Sequence, residues 1–350
     1  MGLVTGPPAR RRILAAVLAV LLCTATAACA AEPDQRAGPP LDEITFLNIL
    51  PLESLSFAPE MVATAGGYFE RHGLDVHFEA TQGSPPALQT VIAGSALLTR
   101  VGDIETMVAA GERGAPLVVV GSALPRGPVR MVSSRREPIT TADGFRGKLV
   151  GIPSQGGTSE FTLNLVLAAK DVPAADVQRQ VVGLAPGVFD LVRAGRLDAY
   201  VVSLDTSVIL LHQQPDAVVY DPNADIAAGA QVYVTSADQA ADPAQQDRLR
   251  RYLLAVREAM QFIADDAPGG FAQTKRIIAS RYEVPSLTDP GVADDALQRY
   301  LASYTAPDGG GYLSTSPDRW AVAYEEMAGL GLVRPDLDPS RWMTNQFLPT

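Results

Sequence analysis

The stretch Lys148-Leu149-Val150-Gly151-Ile152-Pro153-Ser154-Gln155-Gly156-Gly157-Thr158-Ser159-Glu160 decides the fold class. An apolar, β-rich run stops at a proline, and a glycine loop follows. From Thr158 to Lys170 the spacing is helical, with Phe161, Leu165, Ala168 and Ala169 on one side. The glycines let the backbone come close to a ligand. Thr158 or Ser159 can cap the helix, and the free N–H groups at its start carry partial positive charge. A strand, loop and helix in this order belong to a parallel α/β sheet, in which ligands bind beyond the carboxyl ends of the strands. A plain capped helix with a turn would be written the same way. The loop has no G-K-[ST], so nucleotide hydrolysis has no support.

Working outward, strand and helix signals alternate. Ile44 to Ile49 reads as a strand, Phe57 to Phe69 as a helix running toward Gly73, and Leu74 to Phe78 as a half-buried strand. A helix from Pro85 to Gly94, a strand around Val101, a helix from Glu105 to Arg113 and the strand Leu117 to Val120 complete a first series. A second series begins near Val129. It holds the quoted stretch, Val181-Val182, a helix from Pro186 to Ala194 and the strand Asp198 to Ser203. After Val232-Tyr233-Val234 the chain reads as helix from about Pro243 to Leu332. The order implies two lobes, each a mainly parallel sheet flanked by helices, with a helical tail packed back on the first. The length also exceeds what one core usually holds. Two crossings, near Gly127 and near Ser236, would make a hinge. The expected division is 43–127 with 236–350 for lobe 1 and 128–235 for lobe 2.

Residues 1–28 read as a signal peptide: Arg10, Arg11 and Arg12, an apolar run from Ile13 to Leu22, and small residues leading to Cys29. The apolar run is short for a membrane span. Cys29 directly after the cut resembles the lipobox cysteine of bacterial lipoproteins, so lipidation of Cys29 and anchoring at the outside of the cell membrane are expected. Residues 29–42 would be a flexible tether. Of the two cysteines, Cys23 lies in the leader, so the folded body has no thiol for a disulfide or a cysteine metal site. The net charge of −11 becomes more negative once the leader arginines are gone, which excludes a nucleic-acid partner held by counterion release.

Strand ends supply the candidate ligand contacts: Glu53 and Ser54, Gln82, Glu105, Gln155 to Ser159 (Gln155, Gly156, Gly157, Thr158, Ser159) and Asp205, with Phe57 as an apolar wall. Each position also reads as an ordinary helix start. Glu53, Glu105 and Asp205 would act as acceptors, and these loops hold no Lys or Arg. That balance disfavours a doubly charged anion and favours a solute with N–H donors. The three histidines, His72, His77 and His212, share no face and read as surface or core residues, and no metal is expected. No G-x-S-x-G or H-E-x-x-H is present, so binding rather than catalysis is expected, without a cofactor. Trp320, Tyr324 and Met327 at helical spacing read as core.

The segment Gly66-Gly67-Tyr68-Phe69-Glu70-Arg71-His72-Gly73-Leu74-Asp75-Val76 resembles one found in periplasmic substrate-binding proteins of ABC importers for nitrate, sulfonates, taurine and thiamine-precursor pyrimidines. Gly147 to Pro153 followed by Gly157-Thr158-Ser159, then Arg193 to Ala199, and the end from Trp320 to Pro349 are similar to that group in the same order. One stretch departs from its pattern, Ser95 to Asp103. The resemblance implies a type II periplasmic-binding-protein fold with a solute in the cleft, Gly157, Thr158 and Ser159 at that solute, and a permease and an ATPase as partners of a monomeric receptor. A nitrogen heterocycle such as a pyrimidine is favoured over a sulfonate or nitrate. The rivals are a two-lobed enzyme of the same fold, such as a dehydratase or pyrimidine synthase, and a sensor lipoprotein.

Overall fold

In the computed structural model, which describes residues 1–3, 40–49, 52–81, 83–153, 155, 157–183 and 185–348, the alternation of strand and helix signals becomes two five-stranded sheets. The leader, Cys29, Gln82, Ser154 and Gly156 lie outside the described residues. Residues Leu41–Thr350 form one unit.

The first sheet takes β1 (Asp42–Asn48), β2 (Leu74–Ala80), β3 (Leu98–Gly102), β4 (Leu117–Leu124) and, from much later in the chain, β10 (Gln231–Ser236), in the order β2-β1-β3-β10-β4. The second takes β5 (Val129–Ser134), β6 (Leu149–Ile152), β7 (Gln178–Val181), β8 (Ala199–Ser203) and β9 (Ala217–Tyr220), in the order β7-β6-β8-β5-β9. Each sheet is parallel except for the strand by which the chain enters it. β5 runs antiparallel to β8 and β9, and β10 antiparallel to β3 and β4.

Both faces of the first sheet are covered, and the period of two shows it. Phe46 and Tyr233 point into one apolar cluster, while Leu47, Val232 and Val234 point into another. The first cluster is closed by the helix Pro243–Asp266, whose Leu249, Tyr252, Leu253, Val256 and Met260 pack on the helices Ala58–Ala65 and Tyr68–Arg71. Trp320, Tyr324 and Met327 are buried in the second cluster, as core residues.

Three expectations need amending. The helix expected over 57–69 is broken into a 3-10 turn, Leu55–Phe57, and the two helices just named, because Gly66 ends one and Gly67, at φ +72°, starts the other. The return crossing lies before Gln231 and not near Ser236, since β10 already pairs in the first sheet. Alternation locates a strand but does not name its neighbours, so Val232-Tyr233-Val234, expected in lobe 2, belongs instead to the first sheet. The tail does pack on the first lobe, but its helix Pro290–Ser303 also lies against Leu204–Gln213 of the second.

The two crossings touch. A Cβ at Gly127 would lie 2.5 Å from the carbonyl oxygen of Gly229. Asn223 braces the first crossing, accepting from Gly127 N–H (2.8 Å) and donating to its carbonyl (2.9 Å). Carboxylates brace the second. Glu326 accepts from the N–H groups of Ala227 (2.7 Å) and Ala228 (2.9 Å), and Asp103 accepts from Gly229 N–H on both oxygens (2.9 and 3.1 Å).

Candidate ligand-binding site

The loops at the carboxyl ends of the parallel strands face one another across the gap between the sheets. They enclose a cavity of about 480 Å³, within the roughly 300–1,000 Å³ usual for small-molecule sites. The first lobe contributes the turn after β1, with Ser54, Ser56 and Phe57, and the segment Gly83-Ser84-Pro85 after β2. It also contributes Glu105 at the start of the helix Asp103–Arg113. The second lobe contributes Pro153, Gln155, Gly157, Thr158 and Ser159 after β6, and Val202-Ser203 at the end of β8. Of the predicted residues, Ser54, Phe57, Glu105, Gln155, Gly157, Thr158 and Ser159 therefore come together.

Two predicted residues stand elsewhere. Glu53 is exposed and lines a separate surface pocket with Tyr282 and Glu283. Asp205 is buried behind the cavity wall, where its Oδ2 accepts from Leu55 N–H at 3.0 Å. Gln82 and Gly156 fall outside the described residues. Ser56, Gln231 and Tyr300 line the cavity without having been singled out in the sequence, and so do Ser84 and Ser203, which stand in the strand-end segments Thr81 to Ser84 and Ser203 to Thr206 but were not among the candidate contacts. The strand-end rule could also have found Ser56. Tyr300 arrives from the tail, and no local pattern announces it.

The glycine loop works differently from the expectation. The helix Thr158–Ala168 is capped by Gly157, in extended backbone with no side chain to offer, and neither Thr158 nor Ser159 caps it. Thr158 instead donates its hydroxyl proton across the gap to Glu105 Oε1, which also lies 3.4 Å from Ser84 Oγ. No side chain of the helix itself covers its start; the N–H groups of Glu160 and Phe161 bond Gly157 O (3.0 and 3.1 Å), and Glu105 takes up the Thr158 N–H as well as its hydroxyl. Glu105 Oε2 folds back against Gly102, where a Cβ would come within 2.2 Å of it. It is shut off from solvent, with no hydrogen-bond partner among the described residues. Burial raises the Glu105 carboxyl above the usual carboxylate range, against the lowering pull of Thr158 and Ser84.

Behind the turn stands an unexpected cation. Arg100 on β3 is fully buried and its guanidinium lies 4.6 Å from the centre of the Phe57 ring. It donates to Ser56 O (2.7 Å) and to Glu60 Oε1 (3.0 Å). Arg100 stands in the stretch Ser95 to Asp103, which departs from the group's pattern, and it braces the turn. Arg100 is not in the cavity wall, and among the described lining residues there is no Lys, Arg, His or Cys. The three histidines each sit beside one carboxylate, at Glu258, Asp75 and Asp295, and no group of three or more His, Cys, Asp or Glu among the described residues could hold a metal.

The NMT1/THI5-like family matches residues 54–268, more than half of the chain. The chain belongs to the NMT1/THI5-like family. Among its relatives, the riboflavin-binding protein RibY of Chloroflexus aurantiacus is 24% identical over 95% of this chain and 96% of that protein. The periplasmic aliphatic sulphonate binding protein SsuA from Escherichia coli superposes with a TM-score of 0.65 at 17% identity, covering 87% of this chain and 97% of that one. The fold of this NMT1/THI5-like protein is thus that of periplasmic binding proteins of ABC-type import systems. The desulfurization enzyme DSZB shares it too (TM-score 0.53, 14% identity, 87% and 97% covered), so the architecture by itself does not separate binding from catalysis.

Proposed function

We propose that this chain is the extracytoplasmic receptor of an ABC importer, holding a small organic solute between its lobes without altering it. The observation that carries the reading is the cavity itself. Strand-end loops of both sheets build it, and a hydrogen bond from Thr158 to Glu105 crosses it. A permease and an ATPase would receive the solute. The stretch from Arg10 to Cys29 supports export and anchoring through lipid on Cys29. No helix of the described residues is long and apolar enough to cross a membrane.

The wall favours a flat, neutral solute with N–H donors over a sulfonate or nitrate. It offers the faces of Phe57, Ile49, Val129 and Val202, and at its polar end Glu105, Gln155 and the hydroxyls of Ser54, Ser56 and Tyr300. Among the described lining residues no cation stands to neutralise a sulfonate. The likeness to a riboflavin-binding protein points the same way, toward a flavin. The described lining residues also include no His or Cys, which most nucleophilic or general-base schemes use.

The test is a thermal-shift screen of the mature chain with riboflavin, pyrimidines, alkanesulfonates and nitrate. A solute at about a hundredfold its dissociation constant should add about 2.7 kcal/mol of stability. A shift with sulfonates alone would reverse the assignment of solute class, and chemical change of a bound solute on incubation would move the protein to the enzymes of this fold.

A further inference from the structure

Asp205 opens the helix Leu204–Gln213 directly after β8, at the strand end of the second lobe. It is not needed as a cap, because Ser203 Oγ already accepts from Thr206 N–H at 3.2 Å. Its carboxylate reaches into the first lobe, where Oδ2 accepts from Leu55 N–H at 3.0 Å in a buried contact. Leu55 begins the turn that presents Ser54, Ser56 and Phe57 to the cavity. Arg100 holds that turn from behind through Ser56 O and the Phe57 ring. Around the contact, Leu204 and Val208 of the second lobe join Val292, Ala296 and Tyr300 of the first in one apolar cluster.

We propose that Asp205 is a positioning residue, a latch that ties the second lobe to the solute-bearing turn when the cleft closes, and not a solute contact. The inference rests on the two-lobed receptor reading. A carboxylate carried on one lobe and an amide carried on the other can meet only when the lobes are together. Apart, both face water, and the Leu204–Val208 apolar surface is exposed as well. A solute seated on Phe57 and the Ser54 and Ser56 hydroxyls holds the turn in the conformation whose amide the latch needs. Binding and closure are thereby coupled through the backbone of one turn, and the coupling adds to the Thr158–Glu105 bond, which crosses the cavity wall itself.

The experiment measures the distance between lobes by pulsed electron spin resonance, in the mature chain with Cys29→Ser and spin labels on cysteines placed at the exposed positions Gln261 and Ala169. Without solute, Asp205→Ala should move the distance distribution toward longer values. Asp205→Asn, whose amide oxygen still accepts from Leu55 N–H, should stay near the unaltered distribution. With riboflavin as the probe, Asp205→Ala should still close but release it roughly tenfold faster, as expected for loss of one buried bond to a charged group. Unchanged distances in Asp205→Ala, or an Asn variant as open as the Ala variant, would overturn the latch. Should the Ala variant fail to fold, amide exchange in the unaltered chain decides. The latch requires Leu55 N–H to exchange more slowly than Ser56 N–H, which is held only by Ser54 Oγ at 3.1 Å, and the reverse order would overturn it. A failure of riboflavin to bind the unaltered chain counts against the solute assignment, while the distances without solute still judge the latch.

Discussion

Arg100 Nη1 stands 3.0 Å from Glu60 Oε1, and neither side chain reaches solvent. Tyr233 donates a second bond to the same oxygen at 2.6 Å. Removing one member of such a pair strands the other charge in the core, so Glu60→Ala should cost about 3–5 kcal/mol. Replacing both, Glu60→Leu with Arg100→Met, should recover most of that loss. Urea unfolding of the single and double variants measures the difference. A single variant as stable as the parent would show that the pair is not buried as described.

The hinge carboxyl of Asp103 should make the fold lose stability as pH rises. Burial pushes this group up to about 7, against the lowering effect of the N–H groups of Gly229, Ile104 and Ala230, while Glu105 beside it raises it further. The native state then holds a proton that the unfolded chain has released, so stability falls between about pH 4 and pH 7. The full span corresponds to about 4 kcal/mol. Asp103→Asn should flatten the profile over that window. Equilibrium unfolding at a series of pH values checks it, and an unchanged slope would rule out Asp103 as its source.

These two groups show where sequence reasoning stops. The sheets were legible because apolar residues of β1 and β10 alternate between the two faces, which is a local signal. The cavity was legible where it follows from strand ends, as at Ser54, Phe57 and Thr158. Arg100 was not, because a charge in the strand Leu98–Gly102 is permitted only by Glu60 on a distant helix. Asp205 was misplaced for a related reason. The strand-end rule puts a residue at the mouth of the sheet but does not tell whether its side chain turns to the cavity or to the other lobe.

The touching crossings make a backbone prediction. Gly127→Ala places a Cβ 2.5 Å from Gly229 O, a backbone atom that cannot swing away, so the two crossings must spread. Strain of this kind should cost about 1–3 kcal/mol. Gly187→Ala, with nothing within 4 Å of its Cβ, serves as the neutral comparison. Melting temperatures of the two variants should separate clearly, and equal values would refute the close approach.

Thr158→Val keeps the shape of the side chain and removes the proton given to Glu105. The Glu105 carboxyl then keeps the long contact to Ser84 Oγ at 3.4 Å and the backbone N–H groups of Glu105 and Thr158, but loses its hydroxyl donor from the other lobe. The unfolding free energy should fall by about 1–3 kcal/mol, the usual consequence of leaving a buried acceptor short of its donor. Any solute found in the screen should also be held less tightly, which isothermal titration can read. Retained affinity together with retained stability would take Thr158 out of the site.

The placement of β10 between β3 and β4 governs how this polypeptide can be made. β4 has β10 as its only ladder partner among the described strands, and its isolated bridges go to Leu313 and Met343, which are synthesised later still. A nascent chain that has emerged as far as β9 therefore carries two raw strand edges that nothing yet covers, and such edges invite mispairing. The first lobe must wait for the end of the chain, so a ribosome-bound or partly exported fragment that stops at β9 holds all the strands of the second sheet but an unfinished first one.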